Sequence, residues 1–359
     1  MAATSVTPVT LLTGFLGSGK TTLLNRLLAH PAAGDCAVIV NEFGPVAIDH
    51  ALVRTASENI VLLPSGCICC QVAGDLVQAM RDLYFKRAAG EVPAFRRAIV
   101  ETTGLADPAP LARTLIELPL VAARYSLSGI VTTVDGTHGM AQQDRHPEAV
   151  KQPAVAYRIV VTKADLATPQ ALDALEARLH ALNPGAPRLR SSHGDADPER
   201  LLDTGLYRGG ERLADAGSWL NAGVYRRVGA PQPARHDPRV SAFAWFTEHR
   251  VDPAALEDAL STLLELAGDR ILRLKGLVNT GDSGPVAVHA VQHTLYPLAR
   301  LPAWPDGDRR TRLVFIVRDL EESFVAHTME SFLAEKGSDP YFAPEKGTDP
   351  FSANAPTKR

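Results

Sequence analysis

The chain has 359 residues, of which 45% are hydrophobic and 21% charged, so it is an ordinary globular sequence long enough for two domains. A formal net charge of -3 without a long basic run excludes nucleic acid as an expected partner. Because the sequence contains neither a signal peptide nor an apolar stretch of about 18 residues, we expect a cytoplasmic protein without a membrane partner.

Short β-rich segments alternate with helical patterns through the first two thirds of the chain, and this rhythm predicts an α/β fold with a parallel sheet. The predicted strands are Val6–Thr13, Ala37–Asn41, Ile60–Leu63, Ala98–Glu101, Ile130–Asp135 and Ile159–Thr162. The predicted helices between them include Thr21–His30, Ala73–Lys86 and Pro169–Leu182. The connections are long enough to return each strand in the parallel direction.

A proline-rich segment at residues 227–239 is predicted to link two domains. The first, residues 1–226, carries the parallel sheet. The second, residues 240–335, reads as a smaller α+β domain in which Asp252 caps a helix beginning at Pro253. Residues 336–359 contain two near-identical segments rich in glycine and proline, which predicts a flexible tail.

Residues 14–21 read GFLGSGKT and match the phosphate-loop pattern G-x-x-x-x-G-K-[S/T], between an apolar strand and a helix. In this motif the backbone N–H groups surround the phosphates, the lysine reaches the β- and γ-phosphates, and the hydroxyl binds Mg²⁺. The motif predicts a P-loop NTPase sheet with helices on both faces. Its expected nucleotide-binding residues are Gly14, Gly17, Ser18, Gly19, Lys20, Thr21 and Thr22, with Thr21 also the magnesium ligand.

Two further motifs follow predicted strands. Thr162, Lys163 and Asp165 match the [N/T]-K-x-D pattern, in which the carboxylate accepts two N–H donors that guanine offers and adenine does not. Threonine replaces the usual asparagine, so a weaker guanine preference is expected.

Glu101 and Gly104 close another apolar strand. The carboxylate of Glu101 can hold the Mg²⁺ shell or order a water molecule, and the amide of Gly104 can meet the γ-phosphate.

Cys67, Cys69 and Cys70 lie next to one another before a predicted helix, and three soft ligands so close can bind Zn²⁺, Cu(I) or Co²⁺. A redox role is the competing interpretation, but a redox pair needs only two cysteines. The set is one ligand short of a closed zinc tetrahedron, as a metal donor requires. Candidates for the fourth ligand are Glu42, His138, His193 and His146. The remaining cysteine, Cys36, is expected to be an ordinary buried thiol.

Five motifs follow one another along the chain: the phosphate loop, Asn41-Glu42-Phe43-Gly44, Gly66-Cys67-Ile68-Cys69-Cys70, Glu101-Thr102-Thr103-Gly104 and Thr162-Lys163-Ala164-Asp165. With these motifs in this order, the sequence resembles the CobW-type GTPase family. These proteins look like metallochaperones related to the urease and hydrogenase accessory GTPases. The resemblance implies that residues 41–44 switch between nucleotide and metal, and that Asp49 lies near Mg²⁺. With Asp49, the expected catalytic residues are Lys20, Glu101 and Gly104.

The sequence therefore predicts a GTP-hydrolysing metallochaperone that binds zinc at its CxCC motif and passes it to a client apo-metalloprotein. The expected cofactors are GTP, Mg²⁺ and Zn²⁺, with Co²⁺ as an alternative, and a homodimer is left open. Cobalt delivery for cobalamin synthesis or for activation of an enzyme of the nitrile hydratase type is a second hypothesis. A small-molecule phosphate-loop kinase and a nucleotide-regulated metal sensor are hypotheses of other classes.

Overall fold

Two sheets organise the chain in the computed structural model, one in each of two units, residues 1–214 and 215–359. The residues that the structure describes are 6–30, 36–40, 60–62, 70–202, 219–230, 239–281 and 284–334. Within these ranges, no helix is both long and apolar enough to cross a bilayer.

The first unit contains a parallel sheet with the strand order β3-β2-β4-β1-β5-β6-β7 among the described residues. Its strands are β1 (Thr7–Gly14), β2 (Cys36–Val40), β3 (Ile60–Leu62), β4 (Arg97–Glu101), β5 (Tyr125–Asp135), β6 (Arg158–Thr162) and β7 (Arg188–Arg190). The central strands β1 and β5 are buried along almost their whole length, as expected when helices cover both faces of such a sheet.

Eight described helices accompany this sheet: α1 (Lys20–Ala29), α2 (Cys70–Ala89), α3 (Ala109–Glu117), α4 (Pro119–Ala122), α5 (Gly139–Arg145), α6 (Pro147–Val155), α7 (Pro169–Leu182) and α8 (Pro198–Leu202). Helix α1 packs Leu23, Leu24 and Leu27 against the sheet. The predicted cap of α7 is confirmed, since the Thr168 hydroxyl accepts the N–H of Ala171 at 3.3 Å. The parallel sheet predicted from the sequence is thus confirmed.

The strand register places four positions in one row across the sheet. Leu12 of β1 pairs with Glu101 of β4, Glu101 pairs with Val40 of β2, and Val40 pairs with Leu62 of β3. Because the strands are parallel, the segments that follow these four residues all leave the same edge of the sheet. Neighbouring strands lie about 4.8 Å apart, so Leu62 and Glu101 are separated by about 10 Å.

The second unit is built on a mostly antiparallel sheet with the strand order β12-β11-β10-β14-β9-β8, in which β13 also pairs with β11. Its described elements are β8 (Arg226–Arg227), β9 (Val240–Thr247), α9 (Pro253–Ala267), β10 (Ile271–Val278), β11 (Val286–Val291), β12 (Thr294–Leu295), β13 (Ala299–Arg300), β14 (Thr311–Arg318) and α10 (Glu322–Ala334). Leucines on one stripe of α9 pack onto the sheet. The Asp252 carboxylate accepts the N–H of Ala255 at 2.9 Å, which confirms the predicted cap.

Residues 226–227 pair with β9, so they belong to the sheet of the second unit. They lie upstream of residue 240, the predicted start of the second domain. The domain bounds given there, including the 227–239 linker and the tail after residue 335, stay a prediction. The tail lies outside the described residues.

Asn183, at the end of α7, ties that helix to α6. Its side-chain amide is 1% exposed and donates to the carbonyl oxygens of Pro153, Ala154 and Ala156 at 2.9, 3.1 and 2.9 Å. Helix α6 ends at Val155, so its last carbonyls lack the N–H groups of a further helical turn and need another donor.

We expect Asn183→Ala to lower the free energy of unfolding by about 2 to 3 kcal/mol, because buried carbonyls lose their donor. The urea midpoint, followed by circular dichroism, measures the loss. Gln170→Ala removes an exposed amide from the same helix and should change stability by less than about 0.5 kcal/mol. Equal effects of the two substitutions would contradict this role of Asn183.

Candidate functional site

The phosphate loop, residues 14–21, takes a conformation that depends on its glycines. Gly14, Gly17 and Gly19 have φ angles of 145°, 71° and 85°, which side chains rarely allow. A Cβ on Gly14 would also overlap Thr133 and the Ser18 hydroxyl. The loop therefore runs closely over β5 and ends at Gly19, the residue before the first turn of α1. Backbone N–H groups at this helix start form an anion site.

Lys20 begins α1 and turns its side chain back over the loop. Its ammonium donates to the carbonyl oxygens of Gly14 at 3.0 Å and Phe15 at 3.3 Å, and the residue is only 9% exposed. A largely buried cation beside a helix N-terminus provides a strong local positive potential. The predicted role of Lys20 as a phosphate ligand fits this position.

Thr21 and Glu101 meet beneath the loop. The Thr21 hydroxyl donates to Oε1 of Glu101 at 2.8 Å, and Glu101 is 5% exposed at the end of β4. A hydroxyl and a carboxylate are hard oxygen ligands of the kind that Mg²⁺ takes next to phosphates. The sequence named both residues separately, and the tertiary structure brings them together across 80 residues. The residues present fit a magnesium ion.

A buried group of hydroxyls supports the loop from below. The Ser18 and Thr133 hydroxyls share a hydrogen bond of 2.6 Å, and Thr133 also donates to the Thr13 carbonyl at 3.2 Å. On the other side of β1, the Thr102 hydroxyl donates to the Thr13 hydroxyl at 2.9 Å. The C-terminal end of β1, where the phosphate loop begins, is thus held by a residue of β5 on one side and by the residue after β4 on the other.

Thr162 also supports the loop. Its hydroxyl is buried and donates to the Ser18 carbonyl at 2.7 Å and to the Val134 carbonyl at 3.2 Å. Thr162, which the sequence predicts as a nucleotide-binding residue, thus also contacts the phosphate loop directly. The weaker guanine preference expected from the threonine stays a prediction.

Lys163 is fixed by a carboxylate that the sequence analysis did not single out. Its ammonium donates to Oδ2 of Asp135 at 2.6 Å and to the Gly17 carbonyl at 2.8 Å. Asp135 is 2% exposed and also accepts both the N–H and the hydroxyl of Thr137 and the N–H of His138. Burial alone would raise the pKa of Asp135, but hydrogen bonds from Lys163, Thr137 and His138 lower that pKa to about 2. The sequence does contain an indication that Asp135 belongs to the site, because Asp135 ends an apolar strand as Glu101 does.

Asp165 lies in a short turn beyond Lys163 and is paired with His193. Nδ1 of His193 lies 3.2 Å from Oδ2 of Asp165, and Nε of Arg26 in α1 donates to the His193 carbonyl at 3.3 Å. Gly194 has a φ of 79° and packs against the Thr22 carbonyl of α1. The loop after β7 therefore packs against the helix that carries Lys20 and places His193 beside Asp165.

The predicted metal ligands fall largely outside the described residues. Cys67, Cys69, Glu42 and Asp49 lie there, as does the side chain of Cys70, whose backbone begins α2. Among the residues that are described, no three His, Cys, Asp or Glu side chains form a metal site.

The three histidines considered as fourth ligands have other neighbours. His138 contacts the Thr137 hydroxyl at 2.7 Å, His193 pairs with Asp165, and the His146 ring stacks on Phe15 with 4.7 Å between centroids. Burial raises the pKa of Cys36 to about 12, with Arg97 opposing the shift, so the expectation of an inert buried thiol is confirmed.

The sheet is parallel, with a phosphate loop after its central strand β1, an acid at the end of the neighbouring strand β4, and a T-K-x-D turn after β6 on the other side of β1. This arrangement defines a protein of the P-loop GTPase class. The chain belongs to the CobW/HypB/UreG family. Residues 8–190 match the model described as "CobW/HypB/UreG, nucleotide-binding domain", and residues 240–333 match "Cobalamin synthesis protein cobW C-terminal domain". The resemblance given by the sequence motifs is confirmed.

Two relatives and one solved structure match this chain over nearly its whole length. The zinc chaperone YjiA of Escherichia coli is 32% identical over 320 residues, which are 88% of this chain and 95% of that one. The zinc chaperone CobW of Pseudomonas aeruginosa is 29% identical over 368 residues, covering 91% and 92%. The crystal structure of Zn(II)-bound YjiA GTPase from E. coli superposes with a TM-score of 0.67 and 28% identity, covering 91% and 99%.

Substitution of Asp135 tests the ion pair. We expect Asp135→Asn to cost about 1 to 2 kcal/mol of stability near pH 7, a value kept low because the Lys163 side chain is 37% exposed. A carboxylate with a lowered pKa stabilises the fold above its unfolded pKa of 3.8, and this stability is lost as the pH falls toward 2.

Urea unfolding of both proteins from pH 7 to pH 3 gives the measurement. The stability difference between wild type and variant should narrow below about pH 4. Asp173→Asn removes an exposed carboxylate, 73% accessible and paired with Arg190, and should have little effect at any pH. A difference that stays constant over the whole range would show that the Asp135 charge is not the stabilising feature.

Proposed function

We propose that this protein is a GTP-hydrolysing zinc chaperone. It carries Zn²⁺ on Cys67, Cys69 and Cys70, holds or releases the metal according to the bound nucleotide, and delivers it to a client apo-metalloprotein. The similarity to zinc chaperones over nearly the whole chain supports the choice of zinc. The cobalt alternative draws on the C-terminal family model, whose description names cobalamin synthesis.

The observation that carries the proposal is the register of β1, β4, β2 and β3. One row across the sheet contains Leu12, Glu101, Val40 and Leu62. After Leu12 the chain continues into the phosphate loop, and after Glu101 into the Gly104 segment. After Val40 it continues into Asn41-Glu42, and after Leu62 into the segment that contains the cysteines. Cys70 already belongs to α2, so only residues 63–69 connect the row to that helix. Nucleotide-binding and metal-binding segments therefore start from one edge of one sheet.

A position at the start of α2 also favours metal binding by the cysteines. The positive end of a helix lowers the pKa of nearby thiols, and the thiolate is the form that binds Zn²⁺. Three thiolates leave one coordination position for Glu42, another residue of this chain or a ligand from the client. An incomplete ligand set suits a protein that gives its metal away.

In the proposed reaction a water oxygen bonds to the γ-phosphorus while the bond from that phosphorus to the β–γ bridging oxygen breaks. The water gives up a proton to a phosphate oxygen or to solvent, and the products are GDP and phosphate. Lys20 and the loop N–H groups stabilise the phosphate charge, and Thr21 and Glu101 hold Mg²⁺, which when bound neutralises phosphate oxygens. Gly104 meets the γ-phosphate with its N–H. Asp165 accepts the guanine N–H donors while Lys163 packs along the base, held by Asp135 and Gly17.

Substitution of Thr21 tests the magnesium part of the site. Thr21→Ala removes the hydroxyl beside Glu101 and should lower kcat for GTP by about 10- to 100-fold, the loss expected for one hydrogen bond or ligand at a charged centre. Thr21→Ser keeps the hydroxyl and serves as the matched control, with activity close to wild type. If both variants hydrolysed GTP at the wild-type rate, Thr21 would not serve the reaction.

Coupling between nucleotide and metal is tested by the Zn²⁺ dissociation constant of the reduced, metal-free protein. Chelator competition in Mg²⁺ with a GTP analogue, with GDP and without nucleotide should give values that differ by about tenfold or more, which corresponds to about 1.4 kcal/mol of coupling.

Two variants separate the parts of this experiment. Replacing Cys67, Cys69 and Cys70 together by serine should abolish tight zinc binding and leave GDP binding in place. Lys20→Ala should bind zinc with one affinity whatever nucleotide is added. Identical zinc affinities in all nucleotide states of the wild type would reduce the protein to a GTPase with an uncoupled metal, and the chaperone proposal would fail.

A further inference from the structure

Gln152 in α6 is a buried polar side chain with no assigned role. The residue is 1% exposed, and its main-chain carbonyl accepts the Thr132 hydroxyl of β5 at 3.0 Å, so the backbone that carries it is anchored to the sheet. No sequence motif marks this glutamine. A buried amide at a fixed position needs partners, and those of Gln152 lie in the loop between β4 and α3, residues 102–108, here called the Gly104 loop.

The amide nitrogen of Gln152 donates to two carbonyl oxygens of this loop, Gly104 at 3.2 Å and Ala106 at 3.1 Å. Both neighbours are acceptors, so only the N–H₂ end of the amide can face them. Gly104 meanwhile packs against the phosphate loop, since a Cβ there would lie 2.7 Å from the backbone nitrogen and Cα of Leu16. Gly104 is therefore held between Gln152 and the loop that binds the phosphates.

The residue before Gln152 makes a second contact with the same loop. Lys151 pairs with Oδ2 of Asp107 at 3.2 Å, and Oδ1 of Asp107 accepts the N–H of Ala109 at the start of α3. Both charged side chains are about one quarter exposed, so solvent weakens this pair. The buried hydrogen bonds of Gln152 are the stronger restraint on the position of the Gly104 loop.

We propose that Gln152 is a positioning residue that holds the Gly104 peptide against the phosphate loop, so that its N–H is ready to meet the γ-phosphate. The inference rests on the proposed GTPase function and adds the residue that makes binding sensitive to the third phosphate. GDP has no γ-phosphate and gains nothing from the Gly104 position. Loss of the Gln152 donor therefore weakens the GTP complex selectively.

The experiment compares Gln152→Glu with wild type in the full-length protein. Glutamate has the same size but presents acceptors to two carbonyl oxygens, so the loop is pushed away. We expect the affinity for a non-hydrolysable GTP analogue to fall about tenfold and kcat to fall at least as much, while the affinity for GDP changes less than about twofold. Fluorescent nucleotide titration and phosphate release give the three values.

The pH profile separates positioning from packing. Burial raises the pKa of a carboxyl group, and a protonated glutamic acid regains one O–H donor. Relative to wild type, the analogue affinity of Gln152→Glu should therefore recover between pH 8 and pH 5.5. Gln152→Met fills the same space without a donor and should lose analogue affinity equally at both pH values.

Gln143 provides the matched control. It is 3% exposed and lines the same small cavity as Gln152, and its amide nitrogen has no hydrogen-bond partner in the described part of the chain. Gln143→Met should keep the wild-type ratio of analogue to GDP affinity.

The proposed function and the role of Gln152 would be contradicted by different results. If wild type bound no guanine nucleotide, the proposed function would fall with the inference. If wild type preferred the analogue and Gln152→Met kept the same ratio, only the role of Gln152 would be overturned. An equal loss of GDP and analogue affinity in Gln152→Met would assign the residue to general stability and overturn the role as well. Should Gln152→Glu fail to fold, the methionine variant decides alone.

Discussion

Strand β1 ends at a residue that has no room for a side chain, and the phosphate loop depends on how that end is held. Thr133 from β5 and Thr102, the residue directly after β4, both bond to Thr13, one to its carbonyl and one to its hydroxyl. Ser18 of the loop bonds in turn to Thr133. Buried hydroxyl networks of this kind are satisfied only in one arrangement, so the loop keeps its shape before any phosphate arrives. A preorganised loop loses little entropy on binding.

Different parts of the site lie on the two sides of β1. On the β4 side, Glu101 meets Thr21, and Gly104 packs against Leu16. On the β5 and β6 side, Asp135 fixes Lys163, whose ammonium also reaches Gly17 of the loop. The residues predicted to meet the phosphates and those predicted to meet the base are thus joined through the same short loop.

Beyond β4, the sheet continues through β2 and β3 toward the segments that carry Glu42 and the cysteines. The distance across these strands is small, about 10 Å from Leu62 to Glu101, and rigid sheet fills it. If the γ-phosphate and Zn²⁺ favour the same arrangement of the segments at this edge, each raises the affinity for the other by the same factor.

The sequence alone determined the parallel sheet, the phosphate loop and the capped helices α7 and α9, because these depend on residue periodicity and on contacts within a few positions. It also placed Glu101 and the T-K-x-D residues at strand ends. The tertiary structure decided the rest. The contacts of Thr21 with Glu101, of Lys163 with Asp135 and of Gln152 with Gly104 join residues 80, 28 and 48 positions apart. Such pairs depend on strand order and register, which no local pattern encodes. Asp135 could have been suspected as an acid ending an apolar strand, whereas Gln152 lies in a helix with no distinguishing pattern and is identified only by the two carbonyls it faces.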